Sequence, residues 1–160
     1  MKKSSAADGV VSGPVIGYVP GAFDLFHVGH LNALRQARQW CDVLVAGVVT
    51  DEVCVATKGV LPTVPLAERL EIVEAIGIVD AVYAESTADK TDSWRDVGFH
   101  RIFKGDDWQG TAKGRRLEQR MAALGVEVTY FPYTLQTSST ALRTALAHRR
   151  APGASGASSA

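Results

Sequence analysis

The sequence lacks the glycine patterns of the commonest nucleotide folds. It has no G-x-G-x-x-G run behind a strand and no G-x-x-x-x-G-K-[ST] loop, which excludes the ordinary dinucleotide-binding and P-loop arrangements. Cysteine is scarce: Cys41 and Cys54 are the two present, too few for a disulfide framework, and both read as reduced thiols. No apolar run approaches the roughly 20 residues that span a bilayer, and no apolar h-region follows the N-terminal lysines. Neither a membrane span nor a signal peptide is therefore expected, and the cytoplasm fits. Charge of one sign is missing too. Basic and acidic residues balance at 17 each, so bulk charge points to neither nucleic acid nor a membrane. Arg115-Arg116 and Arg149-Arg150 read as solvated helix surface.

What is present is a core-forming composition, 46% apolar over 160 residues, which suits one domain. Residues 1–13, rich in Ser, Ala and Gly, read as a flexible leader. Residues 151–160 have almost nothing to bury and read as a disordered tail. Between them, over 14–150, strand-like and helix-like segments alternate. Strands are expected at 15–19, 43–49, 80–84, 101–104 and 126–131, and helices at 28–40, 65–77, 91–98, 112–124 and 138–148. The strands are short runs rich in Val, Ile, Phe and Tyr, as befits strands covered on both faces. The expected fold is α/β, a Rossmann-like doubly wound parallel sheet of five strands with helices on both faces and right-handed crossovers. In such sheets ligands bind outside the carboxyl ends of the strands.

The most informative segment is Gly21-Ala22-Phe23-Asp24-Leu25-Phe26-His27-Val28-Gly29-His30. It follows the apolar run Val15–Val19 and precedes Leu31, Leu34, Ala37 and Trp40, whose spacing fits one helix face. Two histidines three residues apart thus sit where a strand hands over to a helix. The first turn of a helix offers unpaired N–H groups and a positive dipole end, a natural anion site. Taken alone, H-x-x-H also fits a metal half-site or merely polar residues at a helix start. The metal reading needs further ligands, and His100, His148 and the two cysteines do not have ligand-like spacing. No metal ligand set is assigned.

Four more segments carry chemistry. Thr57-Lys58-Gly59, read as a loop at the carboxyl edge of the sheet, offers a lysine that could reach a polyphosphate or simply stay solvated. Arg69 lies off the apolar stripe Leu66, Leu70, Val73 and Ile76 of its helix, as an ordinary surface arginine does. Phe103-Lys104-Gly105-Asp106-Asp107-Trp108-Gln109-Gly110 follows the fourth strand. Its glycines permit close approach, and Trp108 offers an apolar face to a base or plugs the rim of the core. Thr134-Leu135-Gln136-Thr137-Ser138-Ser139-Thr140 opens the last helix with more hydroxyls than one N-cap requires.

With Gly21, Phe23, Asp24 and Gly29 in place, the G-x-F-D-x-x-H-x-G-H pattern resembles the HxGH signature of the cytidylyltransferase-like nucleotidyltransferases. The resemblance spans about residues 15–148. The Gly105-Asp106-Asp107-Trp108 segment resembles that of glycerol-3-phosphate cytidylyltransferases, and Ser138, Ser139 and Thr140 match the end of the family's R-T-x-G-I-S-T-T motif. Tyr133 and Gln136 replace that motif's arginine and glycine, and Arg143, one turn on, is the cation placed to compensate.

The resemblance implies transfer of CMP from CTP to a small phosphorylated alcohol, with sn-glycerol 3-phosphate first. Ethanolamine phosphate, another polyol or sugar phosphate, or a phosphonate is the alternative acceptor, and a non-catalytic nucleotide-binding module the lesser one. It implies His27, His30 and Lys58 as catalytic residues. Gly21, Ala22, Phe23, Asp24, Gly29, Lys104, Gly105, Asp106, Asp107, Trp108, Thr137, Ser138, Ser139, Thr140 and Arg143 would bind the nucleotide. Lys58, Arg69 and Trp108 would meet the acceptor. Asp24 is expected to organise its loop, Mg²⁺ to ride on CTP with few protein ligands, and the chain to form a homodimer.

Overall fold

The computed structural model describes residues 13–132 and 137–150. Apart from residue 13, the expected leader lies outside them, as do the expected tail, Tyr133 and Gln136. The elements run β1 (Ile16–Gly21), α1 (Val28–Arg38), β2 (Val43–Val49), α2 (Asp51–Lys58), α3 (Leu66–Glu74), β3 (Ala81–Glu85), α4 (Lys90–Val97), β4 (Arg101–Gly105), a 3₁₀ turn (Asp106–Trp108), α5 (Ala112–Ala123), β5 (Glu127–Phe131) and α6 (Ser139–Arg150). All strand pairings are parallel, in the order β3-β2-β1-β4-β5. This is the doubly wound five-stranded sheet expected from the alternating runs.

Side-chain alternation along the strands divides the core in two. Val19, Leu44, Ala46, Val48 and Phe103 face Leu34 and Ala37 of α1 and Val73 of α3. Tyr18, Val45 and Ile102 face the other way, toward Leu117 and Met121 of α5 and Trp94 of α4. Helices therefore cover both faces. β1 lies between β2 and β4, so the chain reverses its winding there, and the crevice above the carboxyl ends of β1 and β4 is the topological switch point. The histidine segment leaves β1 at that crevice. No helix among the described residues is long and apolar enough to cross a membrane.

Two local expectations are corrected. Residues 51–58, read as a loop, form α2. Thr50 caps it through Val53 N–H, Asp51 and Glu52 stand in its first turn, and Gly59 ends it at φ 66°. Cys54 is its one buried residue, so an apolar stripe is absent from this short helix. Helix α1 stops at Arg38, which leaves Trp40 off the core face and 46% exposed. The Arg101 guanidinium lies 5.7 Å from the Trp40 ring centroid.

Candidate active site

The β1–α1 connection is a strained loop. Phe23 (φ 52°) and Leu25 (φ 48°) both adopt left-handed backbone, which costs on the order of 1–3 kcal/mol at each non-glycine position. Burial of the Phe23 ring and the bonds of the intervening Asp24 hold the loop in place. Asp24 is 1% exposed and accepts Thr63 N–H and Val64 N–H, each at 2.9 Å, and the Arg143 guanidinium at 3.1 Å. Burial works to raise the Asp24 pKa, but these donors outweigh it and hold the carboxyl below its ordinary value. The carboxylate thus ties together the loop after β1, the segment before α3, and α6.

The histidines form a capping box at the start of α1. His27 Nδ1 accepts Gly29 N–H at 3.0 Å, and His30 Nδ1 accepts His27 N–H at 3.3 Å. Because both Nδ1 atoms accept, a neutral ring must carry its proton on Nε2. The ring centroids are 4.0 Å apart, and the Phe23 and Phe26 rings each lie 5.4 Å from that of His30. Gly29 is sterically required. A Cβ there would sit 2.7 Å from Cε1 of His27. Ser139 Oγ donates to the Asp24 carbonyl at 2.6 Å and stands 3.4 Å from His27 Nε2, so it receives that N–H.

Burial lowers the pKa of His27. For His30, burial and then the charges of His27 and Lys58 overcome the pull of Asp24 and lower it to about 3. Both rings are therefore neutral at pH 7 and present Nε2–H donors, which suits binding an anion without a counter-charge of their own. A stability consequence follows from linkage. Below about pH 6.5 the unfolded chain takes up protons that these native rings refuse, so stability is complete above 6.5 and falls with pH toward about 3. The expected loss by pH 5 is about 1–2 kcal/mol, read as the difference in urea midpoints between pH 7.5 and pH 5, and His30→Gln should flatten it. Equal midpoints at the two pH values in the wild type would show that the rings titrate normally.

Around this pair the expected residues are distributed unevenly. Lys58 ends α2, exposed, and its charge is one of those that lower the His30 pKa. Ser138 Oγ accepts Ala141 N–H and is the N-cap, so the other hydroxyls of the segment have different partners. Ser139 lies on His27, while Thr140 Oγ1 accepts from the Arg143 guanidinium at 3.2 Å. The Thr137 carbonyl approaches Gly29, within 3.5 Å of the position a Cβ would take there. On the other side of the crevice, Gly105 ends β4 and Asp106 and Asp107 are exposed on the 3₁₀ turn. Trp108 packs on the core rim, with the Lys104 and Lys113 ammonium groups 4.0 and 4.6 Å from its ring centroid.

Arg69 corrects the surface reading. It is 1% exposed and the largest fully buried side chain among the described residues. Its guanidinium donates to the carbonyls of Ala22, Val49 and Val64 and to the Asp51 carboxylate. Arg69 has little left to offer an acceptor. It clamps the carboxyl ends of β1 and β2 to α2 and α3. Sequence reasoning also passed over Lys90, Glu85 and Tyr18. Glu85 is fully buried at the end of β3, where it accepts from Tyr18 Oη at 2.6 Å and pairs with Lys90. A glutamate closing a strand gives no periodic signal that it points inward.

The model of the cytidylyltransferase-like family matches residues 18–145. The ethanolamine-phosphate cytidylyltransferase of Arabidopsis thaliana is 51% identical over 73 residues, 46% of this chain and 17% of that protein. The chain thus spans under a fifth of that relative's length. The FAD synthase of Thermococcus onnurineus (strain NA1) is 34% identical over 115 residues, 71% of this chain and 76% of that protein. Among solved structures, the lipopolysaccharide core biosynthesis protein of Thermoplasma volcanium GSS1 superposes with a TM-score of 0.64 at 22% identity. It covers 76% of this chain and 98% of its own and shares the fold.

Proposed function

The chain belongs to the cytidylyltransferase-like family, and on that premise we propose that it transfers CMP from CTP to a small phosphorylated alcohol, ethanolamine phosphate, releasing pyrophosphate. The observation that carries the reading is the pair of neutral histidines, locked as Nε2–H donors by the capping box at the switch point of the sheet. An acceptor phosphate oxygen attacks the α-phosphorus of CTP. The bond from that phosphorus to the bridging oxygen breaks, and pyrophosphate leaves with the electron pair. His30 donates its Nε2–H to the α-phosphate oxygens as charge grows there, and His27 joins it by exchanging its long contact with Ser139 Oγ for the phosphate. The Ser139 and Thr140 N–H groups at the start of α6, with the Arg143 guanidinium, hold the β- and γ-phosphates, and Lys58 faces them from α2. Mg²⁺ supplies charge neutralisation on the triphosphate. Among the described residues no three His, Cys, Asp or Glu side chains converge to cage it, so phosphate and water oxygens are its fitting ligands. The free edges of the sheet, β3 and β5, keep a homodimer within the proposal.

The acceptor order differs from that read in the sequence. The Gly105–Trp108 segment favoured sn-glycerol 3-phosphate. A relative 51% identical over 73 residues and named for ethanolamine phosphate outweighs four matching residues. A second reading, an adenine-nucleotide user, is favoured by the FAD synthase that aligns over 76% of its own length. A matrix of the four nucleoside triphosphates against ethanolamine phosphate, sn-glycerol 3-phosphate, a sugar phosphate and a flavin phosphate, scored by pyrophosphate release, separates them. CTP with ethanolamine phosphate should exceed every other pair by about tenfold or more in kcat/KM, roughly 1.4 kcal/mol. A preference for ATP would favour the second reading, and no release from any pair would leave a nucleotide-binding module.

A further inference from the structure

We propose that Lys104, at the carboxyl end of β4 and read in the sequence with the nucleotide-binding residues, is instead the seat of the acceptor's phosphate and thereby a specificity-determining residue of the transfer; this rests on the reading above. The argument begins with charge partners. The Lys104 side chain extends from the carboxyl end of β4 on the α4/α5 side of the sheet, over the Trp108 ring at 4.0 Å. The nearby buried carboxylate, Glu85, is already satisfied. Tyr18 Oη and Ser93 Oγ bond to one of its oxygens and Lys90 to the other. Tyr130 Oη, from the neighbouring β5, donates to Glu118. No carboxylate among the described residues comes within ion-pair distance of Lys104. An ammonium built into a strand end and denied a protein counter-ion is a place for a ligand anion.

The order of groups across the crevice says which anion. Ser139 of α6 stands on His27, and His27 stacks on His30 at the start of α1. Arg143 of α6 pairs with Asp24, which also takes the Thr63 and Val64 N–H groups before α3, so the start of α6 is tied to the α1/α3 side of the crevice, while Lys104 stands with Trp108 on the α4/α5 side. In-line displacement puts the entering oxygen opposite the leaving one. With pyrophosphate leaving toward the start of α6, the acceptor's phosphate enters from the Lys104 side.

The electrostatics supply a signature. Burial, then the charges of Lys90 and Lys58, lower the Lys104 pKa to about 7, while Glu85 and Asp107 act in the opposite direction. Lys113 adds a further positive charge across the Trp108 ring. The free protein thus loses the Lys104 charge as pH rises through about 7, and a bound phosphate restores it.

Two measurements test the seat. In the wild-type protein, NMR titration of the Lys104 side chain should show a midpoint that rises by about one pH unit on adding inorganic phosphate. In steady state, Lys104→Met should raise the acceptor KM about tenfold or more and leave CTP affinity by calorimetry within about twofold, the latter also reporting that the variant folds. Lys104→Arg should restore the acceptor KM and move the alkaline limb of kcat/KM upward. A Lys104 resonance indifferent to phosphate, a CTP affinity that falls together with acceptor binding, or an unchanged acceptor KM would each overturn the assignment. The phosphate titration needs neither turnover nor a variant. It therefore decides on the seat even if the wild type transfers to no acceptor tried or Lys104→Met fails to fold.

Discussion

Replacing His30 with alanine is expected to lower kcat by about 10²–10³, on the order of 3–4 kcal/mol of transition-state stabilisation. The magnitude is that of a preorganised donor removed from a developing oxyanion. His30 suits that role because its Nε2–H is fixed in direction by the bond from His27 N–H to Nδ1 and by the flanking Phe23 and Phe26 rings. It has no charge to lose at neutral pH, since burial holds it neutral. The KM for CTP should change far less than kcat, because the interaction strengthens as charge develops. Alanine also removes the N3 half of the capping box, the acceptor of His27 N–H, worth up to about 1 kcal/mol of stability. His30→Gln separates the two effects, because its amide oxygen can still accept His27 N–H. A folded His30→Ala protein turning over at the wild-type rate would remove the histidine from the chemistry.

The second large effect is on stability. Arg69→Met should destabilise the fold by about 3–5 kcal/mol, because it leaves Asp51 unpaired and strips the Ala22, Val49 and Val64 carbonyls of their donor. For a domain of this size that is a fall in Tm of about 10 °C or more. Lysine should rescue little, since one ammonium cannot reproduce a planar fork that reaches four acceptors. The measurement is thermal or urea unfolding of the variants beside the wild type. A loss under about 1 kcal/mol would mean that the guanidinium is solvated and that Arg69 is the surface residue its position off the apolar stripe first implied.

These two residues mark how far the sequence could be read. His27 and His30 were legible because their chemistry is local: a strand, two glycines, an aspartate and a helix start lie in ten consecutive residues. The five strands were legible because each is a short run rich in Val, Ile, Phe and Tyr, although only β1, β2 and β4 carry a stretch of consecutive buried residues. Arg69 was not, because its burial depends on carbonyls at the ends of two strands and on a carboxylate from α2, a helix that itself went unread. That helix has eight residues and one buried side chain, so it is specified by its caps, Thr50 and Gly59, rather than by periodicity. The left-handed backbone at Phe23 and Leu25 was equally hidden, since neither residue favours it and it is maintained by long-range features: the bonds of Asp24, the Arg69 bond to the Ala22 carbonyl and the burial of Phe23. Glu85 and Lys104 belong to the same class. Their meaning lies in which other charges stand opposite them across the sheet, and that emerges with the strand order.

The central claim is direct transfer of the α-phosphoryl group of CTP to a phosphorylated alcohol at the paired histidines. It is tested most directly by following label from [α-³²P]CTP in the presence of ethanolamine phosphate. The expected result is label appearing in a diphosphate-linked product in step with pyrophosphate, no label remaining on the protein, and loss of both products in His30→Ala. Label retained covalently on the protein would contradict direct attack. Intact CTP after prolonged incubation with ethanolamine phosphate, sn-glycerol 3-phosphate and the other acceptors would contradict the transfer itself.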